Sequence, residues 1–207
     1  MGRPRQPEIA GRLLSDCVAY SLEHGLPDGL EPLANAAGTS VRMLVYHFGS
    51  KDELLLAILR RAREQQLQMF GELLAVRPGE RYTVTLRRAW TVMTSREGEP
   101  YLRMFGQLRE DTEQQLWPGF RREATTDWLG ALETGLRSID QAGLATLTLG
   151  VIRGLMMDLD STADSARVNQ AFDDFLRTLD VAPRGVTPVP PHDSDRTYAT
   201  ITNGGRS

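Results

Sequence analysis

Residues 29–51, GLEPLANAAGTSVRMLVYHFGSK, constrain this chain more than any other stretch. Leu30, Leu33, Ala34 and Ala37 recur at helical spacing and make one short apolar stripe. Gly29 stands where that helix can begin. Pro32 is tolerated because the first turn of a helix has no amide bond to lose. Gly38 ends it, as glycine does after a helix. Ser40 then offers the side-chain oxygen that caps a second helix running to Phe48. In that helix Leu44 and Phe48 share the inward face, while Arg42, Met43, Tyr46 and His47 look out. Two short helices joined by a glycine-bearing turn form a helix-turn-helix. The second of them fits a DNA major groove and presents side chains to base edges.

The flanks support this. Residues 8–24 place Ile9, Leu13 and Cys17 on one stripe with Leu14, Val18 and Leu22 beside it, and Gly25 closes the helix. Ser50 followed by Glu53 fits a capping box. Lys51 then falls at a helix N-terminus, where open amides and the dipole attract an anion such as phosphate. This fourth helix extends to about Leu74 and links two halves of the chain. Residues 1–7, MGRPRQP, form an extended arm around Pro4. Arg3 and Arg5 on it either reach phosphates or an adjacent minor groove, or belong to a solvated terminus.

The run AAGTSVRMLVYHFGSKDELL resembles the DNA-binding signature of the TetR family of bacterial repressors. The matching pieces are Leu33-Ala34, Ala37-Gly38, Ser40, Leu44, Tyr46-His47-Phe48 and Lys51-Asp52-Glu53-Leu54, and the match covers roughly residues 8–60. The chain departs from that pattern at Gly29, Glu31, Arg42 and Val45, which moves the reading of DNA toward Arg42 and its neighbours. The resemblance implies a DNA-contacting set of Arg3, Arg5, Ser40, Val41, Arg42, Met43, Tyr46, His47 and Lys51. It further implies a homodimer bound to a palindromic double-stranded operator, a repressor released by a small-molecule effector. The alternative is a helical ligand-binding or scaffolding dimer with degraded DNA contacts, which Gly29, Glu31 and Val45 keep open.

Bulk charge does not decide between them. The net charge is −3, and residues 1–65 hold eight Arg or Lys against eight Asp or Glu. Only cations placed at phosphates release counterions. The chain of 207 residues, 41% hydrophobic and 25% charged, has the composition of a soluble globular protein. A single cysteine rules out an internal disulfide framework. No apolar run is expected to approach the roughly 20 residues that span a bilayer, and the N-terminus lacks the apolar centre of a signal peptide. These features point to the cytoplasm and to no membrane partner.

The expected fold is all-α: a three-helix helix-turn-helix DNA-binding domain over 8–50, then a larger helical ligand-binding and dimerisation domain over 51–180. The tail 181–207, rich in Pro, Gly, Thr and Asp, is expected to be disordered. Helices are expected over 80–95 (Val84, Ala89, Trp90 and Met93 inward), 100–115, 117–138, 140–159 and 164–180. Three scattered histidines, without a nucleophile elbow, P-loop or GxGxxG, argue against an enzyme and imply no metal and no cofactor.

Trp90, Tyr101, Arg103, Met104, Phe105, Trp117, Phe120, Trp128 and Met156 are the candidate ligand-binding residues, with Arg103 and Arg153 suited to an anionic ligand; packing in a helical core is the alternative for each aromatic. Residues 140–180 are apolar on most sides, so they are either central to a core or pair with another helix. The resemblance assigns them to a four-helix bundle across a two-fold axis, with Leu147, Val151, Gly154, Leu155, Phe172, Phe175 and Leu176 at the dimer contact.

Overall fold

A computed structural model describes residues 7–106, 108 and 110–181. Ten α-helices lie among them, and no strand. They are α1 (Pro7–His24), α2 (Glu31–Ala36), α3 (Val41–Phe48), α4 (Lys51–Leu74), α5 (Tyr82–Met93), α6 (Glu99–Gly106), α7 (Glu110–Leu116), α8 (Phe120–Arg137), α9 (Ala145–Thr162) and α10 (Ser165–Val181). A short 3₁₀ turn, Ala142–Leu144, precedes α9. Arg3, Arg5 and the tail from 182 lie outside the described residues.

Two apolar cores are built on one long helix. The first is centred on Cys17, Leu33, Leu44, Leu54, Ile58 and Leu59, all fully buried, and it joins α1 to α4. Met104, Leu108, Leu116 and Phe120 pack into the same cluster. The second gathers Phe70 and Leu74 at the far end of α4 with Tyr82, Trp90, Leu132, Leu136, Phe172 and Leu176. α4 contributes to both, because its apolar positions Leu55, Ile58, Leu59, Ala62, Phe70 and Leu74 continue for more than five turns. Both its ends run as the sequence predicts, from the Ser50 cap to Leu74.

Elsewhere the expected boundaries move for local reasons. α5 begins at Tyr82, and this sets its inward face to Tyr82, Leu86, Ala89, Trp90 and Met93, leaving Val84 exposed rather than buried. Glu80 lies outside the helix and binds Arg88 and Thr85 from its side. These bonds hold the Glu80 carboxyl down to about 2, Arg88 being the larger cause. The helix expected over 100–115 is two helices, because Gly106 closes α6.

The expectation that no apolar run reaches bilayer length is also corrected. The helical stretch Ala142–Thr162 is long and apolar enough to cross a membrane by length and composition. Only 22% of its most apolar window is buried within the chain. Its outward face carries Leu147 and Met157, 55% and 71% exposed, while Ala145, Thr148, Leu149 and Ile152 face the core.

Phe172 and Leu176 belong to that core and not to the exposed face. Phe172 is fully buried and stacks on Trp90 with ring centroids 4.5 Å apart. α10 is bound to α5 by this stack, by the Trp90 indole donating to Asn169 Oδ1 at 2.7 Å, and by Arg81–Asp180 and Arg87–Asp173 ion pairs. The amphipathic face of α10 is thus spent inside the protomer, with Phe175 half-buried at its margin.

Candidate nucleic-acid interface

Helix α3 is held from three sides. Gly38 takes a left-handed φ of +59°, which a side chain would resist. This lets the Thr39 amide donate back to Ala34 O at 2.9 Å and turns the chain between α2 and α3. Ser40, with extended backbone, then accepts a bond from the Met43 amide at 3.3 Å and starts α3. Leu44, fully buried against α1 and α4, anchors the helix by its inner face.

The outer face is Arg42, Met43, Val45 and Tyr46. The last three are 40%, 40% and 41% exposed, large exposures for apolar and aromatic side chains. Arg42 has no carboxylate partner among the described residues. Ser40 is exposed beside them and Val41 is half-buried. Val45 was not among the expected contacts, although its place three residues after Arg42 was the signal: i and i+3 lie on one helix face.

His47 corrects the sequence reading. It is 8% exposed, and neither ring nitrogen has a hydrogen-bond partner among the described residues. It falls three residues after Leu44 and so joins the inner face, with the Tyr46 ring edge-on at 5.1 Å.

α4 begins next to this face. Ser50 accepts from the Glu53 amide at 3.2 Å and the Glu53 carboxylate accepts from the Ser50 amide at 2.7 Å, the reciprocal box predicted from sequence. Gly49, at φ +97°, allows it, since a side chain there would meet the Glu53 carboxylate. The box satisfies the third amide of the helix. The amides of Lys51 and Asp52 have no intrahelical acceptor, as at any helix start. The Lys51 ammonium donates to the Asp28 carbonyl, which ties the start of α4 to the loop between α1 and α2 and leaves two of its three N–H donors.

The residues expected to bind a ligand separate into three places. Trp90 lies in the second core, against α10. Tyr101, Met104, Phe105, Trp117 and Phe120 pack toward α1 and α4; Tyr101 is bonded to Gln65 at 3.3 Å, and Phe105 and Phe120 are stacked at 5.2 Å. Trp128 packs on Phe70, and Met156 is half-buried on α9. Arg103 faces none of them: its guanidinium donates at 3.1 Å to the carbonyls of Leu22 and Glu23, closing the C-terminal end of α1. Two surface hollows, of about 290 and 700 Å3, lie elsewhere, one along Gly71, Gly130 and Gly135, the other between α1 and α4.

Sequence alone missed Arg63. Its side chain is 6% exposed, at a position that continues the Leu59–Phe70 stripe of α4. An arginine on a core-facing stripe was the available signal.

Residues 23–58 match the family described as bacterial regulatory proteins, tetR family. The fold is that of solved regulators. A transcriptional regulator from Rhodococcus sp. Rha1 is similar with a TM-score of 0.67 and 21% identity, over 86% of this chain and 99% of that one. A protein described as a TetR-family transcriptional regulator from Mesorhizobium loti MAFF303099 has a TM-score of 0.65 and 16% identity, over 86% and 97% of the two chains. The multidrug binding protein EbrR, solved with imidazole, has a TM-score of 0.59 and 20% identity, over 93% and 96%. No curated protein matches the chain in sequence. The segment around α2 and α3 is therefore similar to the tetR family of bacterial regulatory proteins, and it is carried on an all-α chain with the fold of those regulators.

Proposed function

We propose that this TetR-family regulator acts in the cytoplasm as a homodimeric repressor, holding a pseudo-palindromic operator until a small-molecule effector releases it. The observation that carries the reading is the outer face of α3, where a capped helix turns Arg42, Met43, Val45 and Tyr46 to solvent. Arg42 takes a guanine edge through two N–H donors, the pairing that a guanidinium fork fits best. Met43 and Val45 supply apolar contact to thymine methyls. Tyr46, Lys51 and the Ser40–Val41 start of the helix hold phosphate and sugar, and the arm bearing Arg3 and Arg5 lies along the duplex. His47 drops out of this set because it is buried.

Two copies join through the outward face of α9, at Leu147, Val151, Gly154 and Leu155, with Met157 added. This covers the apolar surface that a single chain leaves open, and it sets the half-sites about one helical turn, ~34–36 Å, apart or slightly more. Effector binding shifts the dimer toward a spacing that no longer fits successive grooves. α4 and the Arg103 bonds to the end of α1 tie the helical body to the reading head.

Selection of bound sequences from random DNA tests the reading. An enriched palindrome supports it, and enrichment of nothing over input sinks it. On the selected site Arg42→Ala is expected to cost about 1–3 kcal/mol and to relax preference at one base pair per half-site. Unchanged affinity and preference, measured by titration against all four bases, would remove Arg42 from the readout. Lys51→Ala is expected to weaken all sequences alike and to lower the salt slope by about one. A loss confined to one sequence would contradict its phosphate role.

A further inference from the structure

Arg63 is a buried cation with an unusual enclosure. Its guanidinium carbon lies 4.9 Å from the Trp128 ring centre, 5.7 Å from Phe120 and 6.0 Å from Phe105. It donates to Gln66 Oε1 and, at 2.8 Å, to Asp127 Oδ2. Ring faces stabilise a guanidinium, but a charge taken out of water still needs full hydrogen bonding. Those two bonds engage two of the five N–H donors that a guanidinium carries.

A second arginine reaches the same turn of α8. Arg153, from α9, donates to Thr125 Oγ1 at 3.1 Å and to Ala124 O at 3.4 Å. Both acceptors are neutral, and no carboxylate pairs with Arg153 among the described residues. Burial, and then the positive charge of Arg63, press its proton affinity below the usual arginine range. Two guanidiniums from different helices thus meet one turn of α8 beside aromatic rings, Arg63 paired with Asp127 and Arg153 with neutral oxygens alone. Like charges at short range are mutually destabilising, and the one carboxylate at this turn is already taken by Arg63, so an added anion beside Arg153 would relieve the repulsion.

We propose that the Arg63–Arg153 pair, brought against α8 from α4 and α9, is the effector site and binds the carboxylate of a small organic acid with an aromatic or aliphatic body. This deepens the effector-released regulator proposed above and rests on it for its role, though not for its binding. The acid's carboxylate takes the fork of Arg153 in place of the neutral oxygens and draws on the unengaged donors of Arg63. Its apolar body lies against Trp128 and Phe105. Arg153 is solvent-exposed and gives the acid its way in. The link to DNA is short: Phe105 and Phe120 pack in the core shared with α1 and α3, and α4 carries Arg63 about 18 Å from Lys51.

Calorimetric titration of the full-length protein without DNA tests this, using benzoate, indole-3-acetate and octanoate against their neutral amides and inorganic sulfate at constant ionic strength. At least one acid is expected to bind one per protomer, with its amide and sulfate at least about tenfold weaker. Arg153→Gln, a change at an exposed position, is expected to weaken that acid about tenfold and leave the folded fraction unchanged. Equal binding of acid and amide, sulfate as tight as the acid, unaltered binding by Arg153→Gln, or no heat from any acid at millimolar concentration each overturns the proposal. Sequence selection on DNA fails or succeeds independently of these titrations, so the two proposals fall separately. An acid that binds at Arg153 without changing operator affinity refutes effector release and leaves the anion site standing.

Discussion

Leu147→Arg is expected to give a folded monomer that has lost its operator. Leu147 is 55% exposed, and Gly150, Gly154 and Met157 follow it along one face of α9. A Cβ added at Gly150 or Gly154 would meet nothing within 4 Å in the single chain, so this face is open to a second helix. Burying each leucine or methionine side chain there contributes about 1.5–3 kcal/mol, and two-fold symmetry counts every residue twice. An arginine at position 147 would oppose its own copy or the chain beside it, and burial of that unpaired charge exceeds the gain.

The folded protomer should be unaffected, because the core face of α9 is Ala145, Thr148, Leu149 and Ile152. Sedimentation is expected to show half the mass with unchanged helicity. Operator affinity is expected to fall about 10²–10⁴-fold, since each reading head then binds without its tethered twin. A variant that remains dimeric would place the interface on another surface.

Gly135→Ala is expected to be strongly destabilising for a single added methyl. Gly135 on α8 lies directly against the Tyr82 ring, and an added Cβ would fall within that ring. Tyr82 cannot retreat: it is 1% exposed in the second core, and burial pushes its phenol up to about 12. Overpacking of this kind costs about 3 kcal/mol, or roughly 10 °C in thermal midpoint for a chain of this size.

A double-mutant cycle identifies the cause. Tyr82→Ala alone leaves a cavity and costs about 3–5 kcal/mol. With the ring gone, Gly135→Ala should add nothing further. Tyr82→Phe separates ring from hydroxyl: the hydroxyl has no partner among the described residues, so its loss should be close to neutral. Additive costs in the cycle would show that Gly135 serves α8 and not the contact.

Where a single residue type imposes local geometry, the sequence by itself determined the outcome. The Ser50–Glu53 box, Ser40 as cap, the Gly38 turn and the run of α4 to Leu74 depend on nearest neighbours along the chain, and all stand in the structure. Periodicity found the helices because each buries one stripe.

Tertiary structure decided which partner each stripe meets. α9 and α10 both carry apolar side chains at helical spacing, yet the Trp90–Phe172 stack draws Phe172 and Leu176 inside, while Leu147 and Met157 stay out. The gathering of Arg63 from α4, Arg153 from α9 and the rings of Phe105, Phe120 and Trp128 at one turn of α8 depends on contacts between residues far apart in the chain. Helical spacing fixes the direction of a side chain on its own axis; the angle at which the next helix crosses fixes what that side chain touches.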